Sequence, residues 1–176
     1  MRVVAGSLKG RIFQSPRTKR THPMSDRMRG ALFNVLGDIE GLCLLDAFSG
    51  SGAIAIEAIS RGAESVVAIE RDRRAYMQLE ENCNALDISH AFQAVHASAH
   101  GWLERNPSRC FDVIIADPPY DDLQLNLLQR LSQRLLNNGT FVLSLPVSEP
   151  VPNFPGLKQK HTTQHAQGRL VFYKAA

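Results

Sequence analysis

The sequence predicts a single doubly wound α/β domain in which helices cover both faces of a mostly parallel, seven-stranded sheet. Its 176 residues match the usual size of one domain. From residue 42 onward, short apolar runs bounded by turn residues alternate with segments of helical periodicity. Strands separated by helices of this length form right-handed βαβ units, which build a parallel sheet between two helical layers.

A basic extension is predicted ahead of the sheet, so we divide the chain into an extension, 1–37, and a main domain, 38–176. Residues 2–13 contain two short runs around a glycine-bounded turn, which predicts a small hairpin. Residues 1–30 hold eight basic side chains and one acidic side chain, and the rest of the chain carries a net charge of −4. Such a basic segment is typical of a polyanion-binding surface, the alternative being a solvated chain end.

A helix follows this hairpin and completes the extension. Ser25 is a suitable N-cap, apolar residues then recur at helical spacing, and Gly37 ends the pattern. The pattern turns an apolar face toward the main domain. We therefore expect Arg27 and Arg29 near the exposed start of the helix.

The main domain reads as five alternating strands and helices followed by two further strands. The predicted strands are Leu42–Asp46, Ser65–Glu70, Ala91–Val95, Phe111–Asp117, Thr140–Pro146, Leu157–Thr163 and Arg169–Tyr173. The predicted helices cover residues 51–61, 72–86, 98–105 and 123–137. We expect the last helix to end at Asn137-Asn138-Gly139, a sequence typical of a helix C-cap.

Composition excludes several classes of protein. The fractions of apolar and charged residues, 44% and 21%, are those of a globular domain. No apolar run approaches the ~18 residues of a membrane span, and the first residues lack the apolar core of a signal peptide. The three cysteines are widely spaced, so neither a disulfide framework nor a metal site is predicted. We expect a cytoplasmic, monomeric protein without a metal.

A glycine-rich loop follows the first predicted strand, between Asp46 and Ala53. Glycines allow close approach of a ligand to the backbone, and the helix start offers free N–H groups. Glu70 ends the second strand, where a carboxylate accepts the ribose hydroxyls of an adenosine-type ligand. An acid directly before the loop suits a cationic amino-acid moiety, as in S-adenosyl-L-methionine, better than a pyrophosphate. A dinucleotide site and a purely structural turn remain the alternatives.

Asp117-Pro118-Pro119-Tyr120 comes directly after the fourth predicted strand and therefore at the same sheet edge as the glycine loop. The two prolines fix the backbone and remove two N–H donors, which leaves a rigid array of acceptors beside an aromatic ring. Such an array suits the exocyclic amino group of a nucleobase. We expect Asp117 to accept a hydrogen bond from this amino group and Tyr120 to stack on the base. The alternative is a proline turn that only ends the strand.

Several segments together resemble a known family. The order DAFSGSG, a strand-ending glutamate and DPPY resembles the class I amino-methyltransferases. Residues 22–36, HPMSDRMRGALFNVL, are similar to the RPTxDRVREALFNxL segment of the bacterial RsmD family, and residues 2–11, RVVAGSLKGR, are similar to its start. The resemblance implies a Rossmann-like class I fold and methylation, with S-adenosyl-L-methionine, of the exocyclic N2 of a guanine in 16S ribosomal RNA of the small subunit, guanine 966.

The resemblance also implies roles for individual residues. Asp117, Pro118 and Tyr120 are the expected catalytic residues. The expected cofactor-binding residues are Asp46, Phe48, Ser49, Gly50, Gly52, Glu70, Arg71, Ser98 and Asp117. The expected RNA-binding residues are Arg2, Lys9, Arg11, Arg17, Lys19, Arg20, His22 and Arg27. The chain departs from the family pattern at His22, Met24, Gly30 and Ser98, where the family has Arg, Thr, Glu and most often Asp or Asn.

Two rival functions are compatible with the same residues. The DPPY motif also serves the adenine-N6 and cytosine-N4 amino groups of DNA, although 176 residues leave little room for a separate target-recognition domain. A catalytically silent RNA-binding or ribosome-assembly factor is the rival from another class. Such a factor has no physical need for Asp46, Glu70 and the DPPY motif together.

Overall fold

A seven-stranded sheet forms the centre of the computed structural model, which describes residues 1–16, 24–165 and 168–175, the side chain of His165 excepted. The strands are β1 (Cys43–Asp46), β2 (Ser65–Glu70), β3 (Phe92–His96), β4 (Phe111–Ala116), β5 (Leu135–Pro146), β6 (Leu157–His165) and β7 (Gly168–Ala175). Their order across the sheet is β3-β2-β1-β4-β5-β7-β6. Strands β1 to β5 are parallel, and β7 is antiparallel between β5 and β6. The predicted fold class is confirmed.

Helices cover both faces of this sheet and enclose two apolar clusters. The helices are α1 (Asp26–Leu36), α2 (Ala53–Ser60), α3 (Arg73–Leu86), α4 (Ala99–Arg105) and α5 (Leu125–Ser132). One cluster joins the sheet to α1, α2 and α3 through residues such as Leu32, Ala55 and Leu79. The other joins it to α4 and α5 through Trp102 and Leu128. Among the described residues, no helix is both long and apolar enough to span a membrane.

The prediction of a helix over residues 123–137 is wrong at its carboxyl end. Helix α5 ends at Ser132, and Asn137-Asn138-Gly139 lies inside β5, where the register against β4 shifts. Asn138 has a φ of 61°, and a side-chain carbon on Gly139 would lie 3.0 Å from the main-chain oxygen of Asp112. A left-handed Asn followed by Gly marks a strand bulge as well as a helix end, so the sequence signal was ambiguous.

The amino-terminal segment folds onto α2 much as the sequence predicts. Arg2 and Ile12 form an antiparallel bridge, which confirms a short hairpin. The main-chain N–H groups of Val4 and Ala5 donate to the two carboxylate oxygens of Glu57 on α2, at 2.8 and 2.9 Å. Helix α1 then begins after Ser25, whose hydroxyl accepts from the N–H of Met28 at 3.2 Å. The segment is thereby fixed to the first layer of helices.

Arg29 is buried, contrary to the prediction that it lies at the exposed start of α1. Its side chain has no exposed surface, and its guanidinium donates to the carboxylates of Glu57 and Asp26 at 3.4 and 2.9 Å. It also donates to the main-chain oxygen of Arg2 at 2.7 Å. The planar guanidinium has enough donors to join the hairpin, α1 and α2 at one point, which explains why an arginine is buried here.

Replacing Arg29 tests whether this buried ion pair holds the amino-terminal segment to the domain. We expect Arg29→Met to lower the free energy of unfolding by about 3 kcal/mol, because it removes one of the two cations that pair with the buried Glu57 carboxylate, the other being Arg61. Urea denaturation measures this change. The matched control is Arg27→Met on the exposed side of α1, for which we expect a change within about 0.5 kcal/mol. Equal effects of the two substitutions would contradict the structural role of Arg29.

Candidate active site

Three strand ends bring the predicted site residues together at the point where the strand order reverses. Asp46 ends β1, Glu70 ends the neighbouring β2, and Asp117 follows β4 on the other side. Main-chain hydrogen bonds extend the pairing past the strands, from the N–H of Ala47 to Ile115 at 3.0 Å and from that of Ser49 to Ile69 at 2.9 Å. Open α/β sheets bind ligands at this position, the carboxyl edge beside the switch point.

Glu70 fixes the glycine loop against β2. One of its carboxylate oxygens accepts from the N–H of Gly50 at 2.8 Å, and the other accepts from the N–H of Asp72 at 2.6 Å. Gly52, with a φ of 78°, begins α2 so close to α3 that a side-chain carbon there would lie 2.2 Å from Leu79. Each oxygen of Glu70 still has a lone pair, so the carboxylate retains the capacity to accept from a ligand hydroxyl.

The Asp46 carboxylate is buried without a partner. Only 1% of the residue is exposed, and neither oxygen has a hydrogen-bond partner among the described residues. The hydroxyl of Ser49 donates instead to the main-chain oxygen of Asp46, at 3.1 Å. Burial, reinforced by the nearby charges of Asp117 and Glu70, outweighs the opposing effects of the nearby Ser49 hydroxyl and Phe48 N–H and raises the pKa of Asp46 to about 7. An unpartnered buried carboxylate is costly in a folded protein, and a cationic ligand group would relieve the cost.

The motif Asp117-Pro118-Pro119-Tyr120 lies directly across the switch point from the glycine loop. The Asp117 side chain retains some exposed surface, and burial raises the pKa of its carboxyl group. Pro118 is buried, whereas Tyr120 has 44% of its surface exposed. The loop after β4 therefore places a carboxylate and an accessible phenol ring at the same edge as Asp46.

Ser144 supports this motif and was missed by sequence reasoning. It lies on β5, beside β4, with 1% of its surface exposed, and its hydroxyl lies 3.1 Å from that of Tyr120. The nearby Ser144 hydroxyl also lowers the pKa of the Asp117 carboxyl group, which opposes the effect of burial. The only sequence signal was a polar residue inside the apolar run FVLSLP. A buried hydroxyl in such a run needs a partner, and here the partner is Tyr120, one of the predicted catalytic residues.

Comparisons with known proteins identify the family. The family model described as "Conserved hypothetical protein 95" matches residues 1–174. The chain is 33% identical over 141 residues to "Ribosomal RNA small subunit methyltransferase D" of Escherichia coli, which covers 79% of this chain and 68% of that protein. The protein of the same name from Buchnera aphidicola of Acyrthosiphon pisum is 31% identical over 145 residues, covering 80% of this chain and 74% of that one. The chain belongs to the RsmD family.

One solved structure has the same fold over almost the whole chain. The structure described as "Putative methyltransferase yhhF from Escherichia coli" superposes with a TM-score of 0.89 and 27% identity, covering 99% of this chain and 97% of that one. The resemblance read from residues 22–36 and the DPPY motif is therefore confirmed. So is the Rossmann-like class I methyltransferase fold.

The remaining predicted cofactor-binding residues of this RsmD-family chain surround the same edge. Phe48 is half-buried in the glycine loop and packs on the second apolar cluster. Arg71 is exposed directly after Glu70. Ser98 follows β3 and caps α4 by accepting from the N–H of Gly101 at 3.1 Å. This bond leaves the Ser98 hydroxyl hydrogen free to donate, as an adenine ring nitrogen would require.

Two of the departures from the family segment lie at contacts of α1. Met24 and Met28 are buried in the first apolar cluster, and Gly30 packs near Val4 of the hairpin. The backbone of Gly168 approaches this region so closely that a side-chain carbon there would lie 2.8 Å from the Tyr120 hydroxyl and 3.5 Å from Met28. The start of α1 is therefore next to the DPPY motif.

The predicted RNA-binding residues fall into two groups. Arg2, Lys9, Arg11 and Arg27 are exposed on the hairpin and on α1. Arg2 lies 3.5 Å from Asp26, and Arg11 donates to the main-chain oxygen of Ala85 at 3.2 Å. The others, Arg17, Lys19, Arg20 and His22, lie outside the described residues. Among the residues that are described, no group of three or more His, Cys, Asp or Glu is arranged to hold a metal ion.

The burial of Asp46 predicts that this site residue destabilises the chain when no ligand is present. The unfolded carboxyl group loses its proton near pH 3.8 and the folded one near pH 7, so stability falls as pH rises between these values. We expect Asp46→Asn to remove this dependence and to raise the free energy of unfolding at pH 8 by up to about 4 kcal/mol.

Urea denaturation of the chain without added ligand, at pH 4.5, 6 and 8, measures this difference. At pH 4.5 we expect the variant to exceed the wild type by about 1 kcal/mol or less, because most of the buried carboxyl group is then protonated. The control is Asp121→Asn, at an exposed carboxylate next to the DPPY motif, which should follow the wild type at every pH. A constant difference between Asp46→Asn and the wild type would contradict a raised pKa.

Proposed function

We propose that the chain uses S-adenosyl-L-methionine to methylate the exocyclic N2 of a guanine in 16S ribosomal RNA of the small subunit, with guanine 966 as the target. The observation that carries the proposal is the buried, unpartnered Asp46 carboxylate across the switch point from the DPPY motif. The names of the Escherichia coli and Buchnera relatives support ribosomal RNA as the substrate.

The donor set at the sheet edge fits S-adenosyl-L-methionine. Asp46 is placed to accept the ammonium group of the methionine moiety, which would give the carboxylate the cation it lacks. Glu70 would accept from the ribose hydroxyls with its remaining lone pairs, and Ser98 would donate to the adenine edge. The glycine loop with Phe48, Ser49, Gly50 and Gly52, together with Arg71, would enclose the middle of the cofactor. A dinucleotide fits less well, because Asp46 would repel its pyrophosphate.

The DPPY residues act on the target amino group. The Asp117 carboxylate and the main-chain oxygen of Pro118 accept its two N–H hydrogens, which directs the nitrogen lone pair toward the cofactor. When bound, the cofactor supplies a methyl group: an N–CH₃ bond forms as the S–CH₃ bond breaks, and the electron pair of that bond returns to sulfur. The methylated nitrogen would then lose one proton, which the Asp117 carboxylate would accept.

Tyr120 holds the base beside these acceptors. Its ring is accessible, and stacking of a nucleobase on such a ring contributes ~1–3 kcal/mol. The Ser144 hydroxyl fixes the phenol from the protein side, so the ring keeps its orientation when the base arrives. The same hydroxyl lies near Asp117 and lowers the pKa of that carboxyl group, so Ser144 influences both the stacking ring and the proton acceptor.

The extension, residues 1–37, would hold the RNA. Its exposed cations Arg2, Lys9, Arg11 and Arg27 lie on the hairpin and α1, and the start of α1 is next to Tyr120 through Met28. Phosphates bound there would flank a guanine placed on the tyrosine. Phosphate contacts position a nucleic acid without reading its sequence, so the shape of the RNA would select the base.

The decisive experiment offers labelled S-adenosyl-L-methionine with three substrates: small subunits from cells lacking this protein, deproteinised 16S ribosomal RNA, and duplex DNA. We expect label to enter ribosomal RNA as N2-methylguanosine, identified by mass spectrometry of the nucleosides. Asp117→Asn should lower kcat by at least about 100-fold, because it removes the carboxylate that accepts from the amino group.

Asp121→Asn is the matched control, since it removes a neighbouring exposed carboxylate outside the DPPY motif. It should leave kcat within about twofold of wild type. Label that enters only DNA would support the DNA methyltransferase alternative and contradict the proposal. Full activity of Asp117→Asn at saturating cofactor would refute the catalytic role of Asp117.

A further inference from the structure

The carboxyl-terminal hairpin of β6 and β7 is strongly basic. Residues 150–176 contain Lys158, Lys160, Arg169 and Lys174 and no acidic residue, a net charge of +4. The intervening segment, 31–149, holds eight basic and sixteen acidic residues, a net charge of −8. The basic residues of the chain are therefore in excess at both ends, whereas the predicted RNA-binding residues all lie at the amino-terminal end.

The charged side chains of this hairpin are available at the surface. Lys158, Lys160, His161 and Lys174 are all exposed. None of the three lysines forms an ion pair with a carboxylate of the described residues. Lys174 donates only to the main-chain oxygen of Asn138, at 2.7 Å, so its charge is not neutralised. The β6 edge is thus an uncompensated cationic surface.

The register of the hairpin turns most of this charge toward α1. Lys158 pairs with Lys174, and His161 pairs with Phe172. Directly opposed residues project from the same face of a sheet, as do residues two apart on one strand. Phe172 belongs to the apolar cluster under α1, and α1 contacts β6. Lys158, His161 and Lys174 therefore lie on the face that also carries α1 and the basic extension.

The hairpin also connects this surface to the DPPY motif. The last residue of β6 pairs with Gly168, whose backbone lies against the Tyr120 hydroxyl. At about 3.3 Å per residue, the seven residues back to Lys158 extend about 23 Å from that point. This length is that of several nucleotides of one nucleic-acid strand. A polyanion that extends from Tyr120 along β6 first passes Thr162–Gln164 and then reaches the lysines at the far end of the hairpin.

We propose that β6 and the end of β7, through Lys158, Lys160, His161 and Lys174, form a second RNA-binding surface that contacts phosphates flanking the target guanine. This inference rests on the proposed function, because it takes the polyanion to be the RNA substrate. The target strand would then be held on two sides, by the extension beside α1 and by the β6 edge. An edge strand also carries lysines simply to prevent pairing with other chains, and the test separates the two roles.

The test compares two double substitutions of equal charge in the full chain, Lys158→Gln with Lys160→Gln and Arg105→Gln with Arg109→Gln. Arg105 and Arg109 are exposed near the start of β4, away from the β6 edge. Binding to a 16S ribosomal RNA transcript is measured by fluorescence anisotropy across potassium chloride concentrations. For the lysine variant we expect the log–log salt slope to fall by about 1.4–1.8. At 0.1 M salt this corresponds to roughly 25- to 60-fold weaker binding.

The arginine variant should retain the wild-type slope, and Lys158→Arg with Lys160→Arg should restore it, since the charge is kept. The KM for S-adenosyl-L-methionine should be unchanged in all variants. The inference would be overturned by an unchanged salt slope in the lysine variant, or by an equal loss of RNA affinity in the arginine variant. It would also be overturned if the wild type bound duplex DNA more tightly than RNA and the lysine variant lost affinity for both equally. Self-association of the lysine variant with unchanged RNA affinity would overturn it too. If the wild type methylates RNA in any of these cases, the proposed function stands and only this inference fails.

Discussion

A carboxylate buried at the end of β1, without a hydrogen-bond partner in the part of the chain that the structure describes, is the constraint on which the rest of the structure depends. The loop after β1 continues the pairing with β4 and β2 beside Asp46, and the burial of Asp46 raises its pKa to about 7. Such a group persists only when the surrounding structure fixes it. The apolar clusters on both faces of the sheet hold the strand ends in place, and Glu70 holds the glycine loop, so Asp46 cannot move into solvent.

The same framework links the amino-terminal segment to this edge. The loop that starts beside Asp46 becomes α2 at Ala53, and Glu57, one turn later, accepts from the hairpin and from Arg29. Arg29 in turn fixes the start of α1, where Met28 lies near the same Gly168 backbone as the Tyr120 hydroxyl. A rigid chain of contacts therefore joins the predicted RNA-binding extension, the glycine loop and the DPPY motif. Selection of the target base would rest on this fixed geometry.

Sequence reasoning found the parts of the site that depend on strand ends. Asp46, Glu70 and Asp117 follow apolar runs, and a parallel sheet necessarily brings such ends to one edge. It failed where the outcome depended on tertiary contacts. Arg29 lies on a helix start that looks exposed, and only the packing of α1 on α2 buries it. Ser144 is one hydroxyl in an apolar strand, and its partner comes from a different strand end.

The bulge at Asn138 shows a second limit of local patterns. A left-handed Asn before Gly suits both a helix end and a strand bulge, and the pairing of β5 with β4 decides between them. The charge pattern of the sequence, in contrast, indicates a basic segment at each end of the chain, of which only the amino-terminal one was predicted to bind RNA. The sequence divides into a basic start, an acidic centre and a basic end, and only the fold shows that α1 contacts β6 of the basic end.

The most direct test of this account is a pH titration of the Asp46 side chain by carbon-13 NMR, with the signal assigned from the spectrum of Asp46→Asn. We expect the free chain to give a pKa of about 7. Saturating S-adenosyl-L-methionine should lower the pKa of Asp46 by at least about two units, because its ammonium group supplies the missing cation. A pKa near 3.8 in the free chain, or one that the cofactor leaves unchanged, would contradict the central claim.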